Sequence, residues 1–191
     1  MLLLPLLAGC NSKETKESTP PEGGAKADST VSVRDSVALL QEFETEKELL
    51  LQRVVGIYRV VKNVYMNNGH YSTDETLDKS YCSASWNKLL FAVHRKEEKT
   101  NTLFFDNDYW VMSPELGYVS YEGFKVEDLV LTPERRAAVT FTIYHSDSYV
   151  PARIDMVYEE GTWVIDDFED LKYIKSWKKG MTEFVADNKR E

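Results

Sequence analysis

The apolar positions change rhythm once along the chain. Between residues 35 and 67 they recur every three or four places. Leu50, Val54, Ile57, Tyr58, Val61, Val64 and Tyr65 therefore share one stripe of a helix. Glu46, Lys47, Arg53, Arg59 and Lys62 fit its wet side, and Asn67-Asn68-Gly69 closes it, since Asn and Gly tolerate the left-handed cap. The part from Val37 to Phe43 fits either a separate helix or a continuation. Thr73 or Asp74 caps a second helix, with Leu77 as its first apolar contact. A third, over residues 83–96, carries Trp86, Leu89, Leu90 and Val93 on one face.

Beyond residue 101 the period becomes two. Ala137, Val139, Phe141 and Ile143 alternate with Ala138, Thr140, Thr142 and Tyr144. Val150, Ala152, Ile154, Met156 and Tyr158 do the same in the next run. Alternation of this kind predicts a sheet with one covered face. Glu160-Gly161 is a tight turn into a strand over 162–165. An earlier strand, 124–131, ends at Thr132-Pro133-Glu134, and its alternation breaks near Asp128, which predicts a bulge. Ile174, Trp177, Met181, Phe184 and Val185 predict a closing helix over 174–185. The fold class is α+β: amino-terminal helices packed on a curved antiparallel sheet, with an extra carboxy-terminal helix.

The domain so defined spans residues 34–191. Residues 1–8 are apolar, and Leu7-Ala8-Gly9-Cys10 resembles the lipobox of bacterial lipoprotein signal peptides. Small residues at 8 and 9 let extended backbone enter a peptidase cleft, and the Cys10 thiol accepts the lipid. The run is too short to span a bilayer, which needs about 20 residues, and suits a signal-peptide core. Such a leader normally opens with Lys or Arg, and none precedes Cys10; a start further upstream or a shortened leader is expected. A short buried apolar segment is the plainer alternative, disfavoured by the polar stretch that follows at once. Residues 11–33 are rich in Ser, Thr, Lys, Glu, Pro and Gly. They read as a disordered tether reaching roughly 25–30 Å.

Charge narrows the partners. The 191 residues carry a formal charge of -9. An acidic surface disfavours nucleic acid and anionic headgroups. Membrane attachment is therefore expected through the amino-terminal lipid, at the bacterial cell envelope. With Cys10 lipidated, Cys82 stands alone and forms no disulfide framework. No Cys/His set suggests zinc, and neither a cofactor nor a metal is expected.

Three strings carry a resemblance: residues 77–83 (LDKSYCS), 105–109 (FDNDY) and 161–167 (GTWVIDD). With the order of elements, they resemble a family of uncharacterised lipoproteins common in Bacteroidetes, built on the NTF2-like (cystatin-like) cone. The resemblance covers residues 48–170 and leaves out the closing helix. It implies the fold, and a Trp on the last strand packed against the central helix. It implies no activity, because the family has none established and the fold serves many purposes. Such cones often enclose a pocket and often dimerise through the exposed sheet face, so a homodimer is an open expectation.

His145 continues the face of Val139, Phe141 and Ile143, and Asp167 shares parity with Trp163 and Ile165. A His–carboxylate pair at a pocket mouth would act as a general base. Equally, His145 opens the polar loop 145–148 and would face water. Asp106 and Asp108 suggest a calcium loop, but the ligand series stops there. The acidic run 166–170 reads as a solvated edge that discourages pairing. Cys82 reads as a packed, inert thiol. Tyr109, Trp110 and Tyr118 fall in an irregular stretch and suit a ligand-binding surface. A non-enzymatic domain binding a protein or small molecule is the expectation. A cavity enzyme of the isomerase or hydrolase kind, and an inhibitor or immunity protein, are the alternatives.

Overall fold

The stripe that begins at Leu50 belongs to one unbroken helix, α1 (Val33–Asn68). The undecided part from Val37 to Phe43 is thus a continuation. The computed structural model describes residues 33–68, 74–105, 107–114, 121–173 and 176–187. Cys10 and the tether lie outside them. Two helices follow α1: α2 (Asp74–Tyr81) and α3 (Ala84–Thr100). A short hairpin of β1 (Asn107–Asp108) and β2 (Ser113–Pro114) leads to β3 (Tyr121–Leu131), β4 (Arg136–His145), β5 (Tyr149–Glu159) and β6 (Thr162–Asp170), and α4 (Trp177–Ala186) closes the chain.

The four long strands form an antiparallel meander in the order β3-β4-β5-β6. Alternation decides its covered face. One row crosses all four strands, Leu129 beside Val139, Ile154 and Phe168, and every member is buried. Helices cover this side. Tyr58 of α1 packs on Phe124 and Phe141 with ring centres 4.7 and 4.9 Å away. Trp86 of α3 meets Phe168 edge-on at 5.0 Å. The protein is therefore α+β, with an open sheet covered by helices.

Three register shifts interrupt the ladder, the first between Tyr121 and Gly123 at the start of β3. In β3 the register shifts again between Val126 and Asp128, where the alternation fails. In β6, Ile165 pairs with Met156 and Asp167 with Asp155, which leaves Asp166 as the extra residue. Since strand faces alternate with period two, one inserted residue reverses them. Phe168 turns inward, and Asp167 turns to the face of Asp155. The inward parity expected for Asp167 is lost at this bulge.

The acidic run is also not a free solvated edge. Ser83 N donates to Ile165 O at 2.7 Å, so the α2–α3 junction lies along the β6 edge. Asp166 Oδ1 accepts from Ser83 Oγ (2.6 Å), Ser85 Oγ (2.7 Å) and Lys178 Nζ (2.5 Å). Asp167 accepts from Ser176 Oγ (2.5 Å) and Lys178 N (2.9 Å). Ser83 and Ser176 are the N-caps of α3 and α4. Each carboxylate thus sits at a helix start, where the dipole favours negative charge. The closing helix begins at Trp177; Ile174, expected on its apolar side, lies outside the described residues. Trp177 packs on Phe105 at 5.7 Å.

Asp166→Ala removes three bonds to a partly buried carboxylate, which costs about 2 kcal/mol. Urea denaturation should show that loss. It should also show strong non-additivity with Ser83→Ala, because both break one network.

Candidate functional site

Five polar side chains meet between α1, α2, α3 and the β1–β2 hairpin. Asp78 points from α2 into the interior and is 1% exposed. It accepts from Tyr109 Oη at 2.5 Å, from Trp86 Nε1 at 3.2 Å and, weakly, from the Cys82 thiol at 3.4 Å. Asp108 is buried beside it and accepts a hydrogen bond from the Tyr65 hydroxyl. Its second oxygen accepts from Trp110 N at 2.8 Å, a local turn that Asp favours. Burial pushes both carboxyls up to about 6, against the hydrogen bonds that favour their charged forms. Burial likewise raises Tyr58 and Cys82 well above their ordinary values. Cys82 is a free, packed thiol that stays protonated. The rings of Trp86, Tyr109, Trp110 and Phe168 fill the space between these groups, with centres 4.9–5.2 Å apart along the chain of contacts from Tyr109 through Trp86 and Phe168 to Trp110.

A second feature opens to solvent. A cleft of about 700 Å³ runs between α1 and the β3–β4 and β5–β6 turns. Thr45, Leu49 and Arg53 line it from the helix; Arg135, Tyr158 and Trp163 face them. Arg135 has a left-handed backbone (φ 54°). Its guanidinium lies over the Tyr158 ring, 4.0 Å from the centre, and pairs with Glu46 at 3.4 Å. Arg53 Nε donates to Trp163 O at 3.1 Å, with its guanidinium over the Tyr81 ring. The cleft thus presents two arginines, two glutamates (Glu42 and Glu46), an aromatic wall and an exposed leucine. With Arg135 already paired to Glu46, it suits binding of an amphipathic molecule that offers both polar and apolar groups. Its lining holds the carboxylates of Glu42 and Glu46 and the hydroxyls of Thr45, Tyr158 and Thr162, with no His, Cys or Ser.

The residues singled out from sequence are dispersed. His145 ends β4, and its Nε2–H donates to Val111 O at 3.0 Å. Burial holds its pKa below the usual histidine value. The neutral ring pins the β1–β2 hairpin to the sheet end. Asp167 pairs with Asp155, which pairs with Ala138, seven residues back along β4 from His145. The two do not form the pair expected of them. Tyr109 and Trp110 are 6% and 0% exposed, so they pack the core instead of lining an exterior surface. The Tyr109 ring could sink there because Asp78 accepts a hydrogen bond from its hydroxyl. Tyr118 and Asp106 lie outside the described residues, while Asp108 faces inward. Among the described residues, no group of three or more His, Cys, Asp or Glu is placed to hold a metal. Nor is any helix long and apolar enough to cross a membrane.

Sequence reasoning missed Asp78 and the cleft. Asp78 sits inside the LDKSYCS string with nothing local to distinguish it from a surface acid. The cleft residues come from segments more than 80 positions apart. Comparison of the chain with protein-family models, curated proteins and solved structures finds no match.

The two buried acids set a pH dependence. Their folded pKa values near 6 exceed the unfolded value of 3.8. The folded chain therefore holds more protons between those limits, and stability falls as pH rises through the window. The contribution of Asp78 is fully present below about pH 4 and is lost above about pH 6, a swing of about 3 kcal/mol. Asp78→Asn should flatten the difference in urea midpoint between pH 4.5 and 7.5 by an amount of that order.

Proposed function

We propose that the chain is a lipoprotein of the bacterial cell envelope, anchored through Cys10, whose folded part is an NTF2-like binding domain without catalytic duty. The lipobox and polar tether support the address. Helices gathered on one face of a four-stranded antiparallel meander support the cone. The observation that carries the binding role is the open cleft beside α1, walled by Arg53, Arg135, Tyr158 and Leu49. Its chemistry selects an amphipathic molecule, with an apolar or aromatic part against Leu49 and Tyr158 and polar groups that meet the arginines and the glutamates Glu42 and Glu46.

Two measurements test this reading. Radiolabelled palmitate should be incorporated by the natural-length protein and not by its Cys10→Ser variant; equal labelling would remove the anchor. A photo-crosslinking residue at Thr162, inside the cleft, should capture an adduct in living cells that Arg135→Glu abolishes. An adduct indifferent to Arg135→Glu would remove the cleft as the binding site.

A second reading, a cavity enzyme of the isomerase or hydrolase kind, draws on one observation. The hydroxyls of Tyr58 and Tyr121 are buried without a hydrogen-bond partner, within electrostatic reach of each other and, for Tyr58, of Asp108. Unpaired buried hydroxyls are costly and invite a polar guest. Against it stands the ring packing around Trp86 and Trp110. A bound small molecule in contact with those hydroxyls in a crystal structure would favour the enzyme.

A further inference from the structure

The helix α1 outruns the domain it packs on. From Val37 to Thr45 every residue is exposed, and Leu50 is the first fully buried one. Yet the apolar stripe does not stop at Leu50. Phe43 lies seven residues before it, on the same line, and Leu39 and Leu40 lie a turn earlier on either side of that line. Leu39 and Leu40 are 62% and 64% exposed, Val37 48% and Phe43 37%. The face that seats Leu50, Val54, Ile57 and Val61 on the sheet is thus continued for two turns by side chains that remain exposed. Such a run of large apolar side chains on a solvated helix is uncommon in a monomer and marks a contact surface.

Charge decides among occupants. Between residues 37 and 49 the helix carries Glu42, Glu44, Glu46 and Glu48 against Lys47, and of these Glu46 is paired with Arg135, so the helix stays acidic. A second copy would bring these glutamates against their own kind, and a membrane would bring them against anionic headgroups. A basic amphipathic helix satisfies both parts: apolar residues at three-to-four spacing fill the stripe, and Lys or Arg flank it opposite the glutamates. The overhang is about 18 Å long, so about three turns of partner can lie along it.

We propose that the amino-terminal overhang of α1, with Leu39, Leu40 and Phe43 at its centre, docks a basic amphipathic helix of a partner protein. The stripe seats the partner's apolar face, and the glutamates orient it and speed encounter. This surface adjoins the cleft, whose lining on α1 runs through Ala38, Glu42, Glu46 and Leu49, but its apolar stripe of Leu39, Leu40 and Phe43 is no part of that lining. The contact is small, so micromolar affinity is expected.

The test uses the whole chain and a synthetic 18-residue peptide of leucine and lysine in helical pattern. A scrambled peptide of the same composition is the control. Binding is followed by fluorescence anisotropy at low and moderate salt. The patterned peptide should bind at least tenfold more tightly than the scrambled one. The double variant Leu40→Ser, Phe43→Ser should lose that advantage while keeping the wild-type melting curve, because both side chains are exposed. Tyr158→Ala in the cleft should leave it unchanged, which separates failure here from failure of the cleft. Equal binding of both peptides, or of wild type and double variant, would overturn the proposal as mere adsorption to acidic surface. So would a wild-type dimer in sedimentation that the double variant dissolves, which assigns the stripe to a second copy. Flotation of the delipidated chain with phosphatidylethanolamine–phosphatidylglycerol vesicles, abolished by the double variant, would overturn it in favour of a lipid surface.

Discussion

The free edge of β6 is the seam on which the architecture depends. An open four-stranded sheet leaves a row of unpaired backbone groups on each edge strand. In β6 those groups are taken by helices. Trp163 O receives Arg53 of α1, and Ile165 O receives Ser83 at the α2–α3 junction. Asp166 and Asp167 then hold the caps of α3 and α4. All four helices or their junctions thus reach one strand of nine residues. The bulge makes this possible, since two adjacent side chains in regular strand would point to opposite faces, whereas the inserted residue splays both carboxylates toward helix starts.

The interior carries a cost that this seam helps to bear. Asp78 and Asp108 are both buried, and both would be more comfortable protonated than charged. Their hydrogen bonds fix Tyr109, Trp86 and Tyr65, and through them the hairpin between α3 and β3. Buried polar networks of this kind specify one packing more than they add stability. His145 contributes at the far end of the same hairpin. These groups have structural work in the observed packing, which is why the proposed function rests on the cleft and not on them.

The two surfaces on α1 differ in kind. The cleft is bounded on both sides by folded elements and holds its arginines in place by stacking on Tyr81 and Tyr158. Little order has to be gained when a ligand enters, which favours selectivity for shape. The overhang is bounded on one side only. Its specificity must come from the spacing of Leu39, Leu40 and Phe43 and from the glutamates around them.

Sequence alone determined the elements and the covered face. The three-to-four spacing of Leu50, Val54, Ile57 and Val61, and the two-fold alternation from Ala137 to Met156, encode helix and strand locally, because each pattern follows from the geometry of a single element. The Asp128 bulge was legible for the same reason, as a break in alternation. The bulge at Asp166 left only a faint trace, the spacing of three between the apolar Ile165 and Phe168, which the acidic residues between and after them obscure. Tertiary structure alone decided that Asp167 would cap α4, that Asp78 would be buried and that Arg53 and Arg135 would share a cleft. Those outcomes depend on which distant segments meet, and a carboxylate or guanidinium takes its role from the partner it finds.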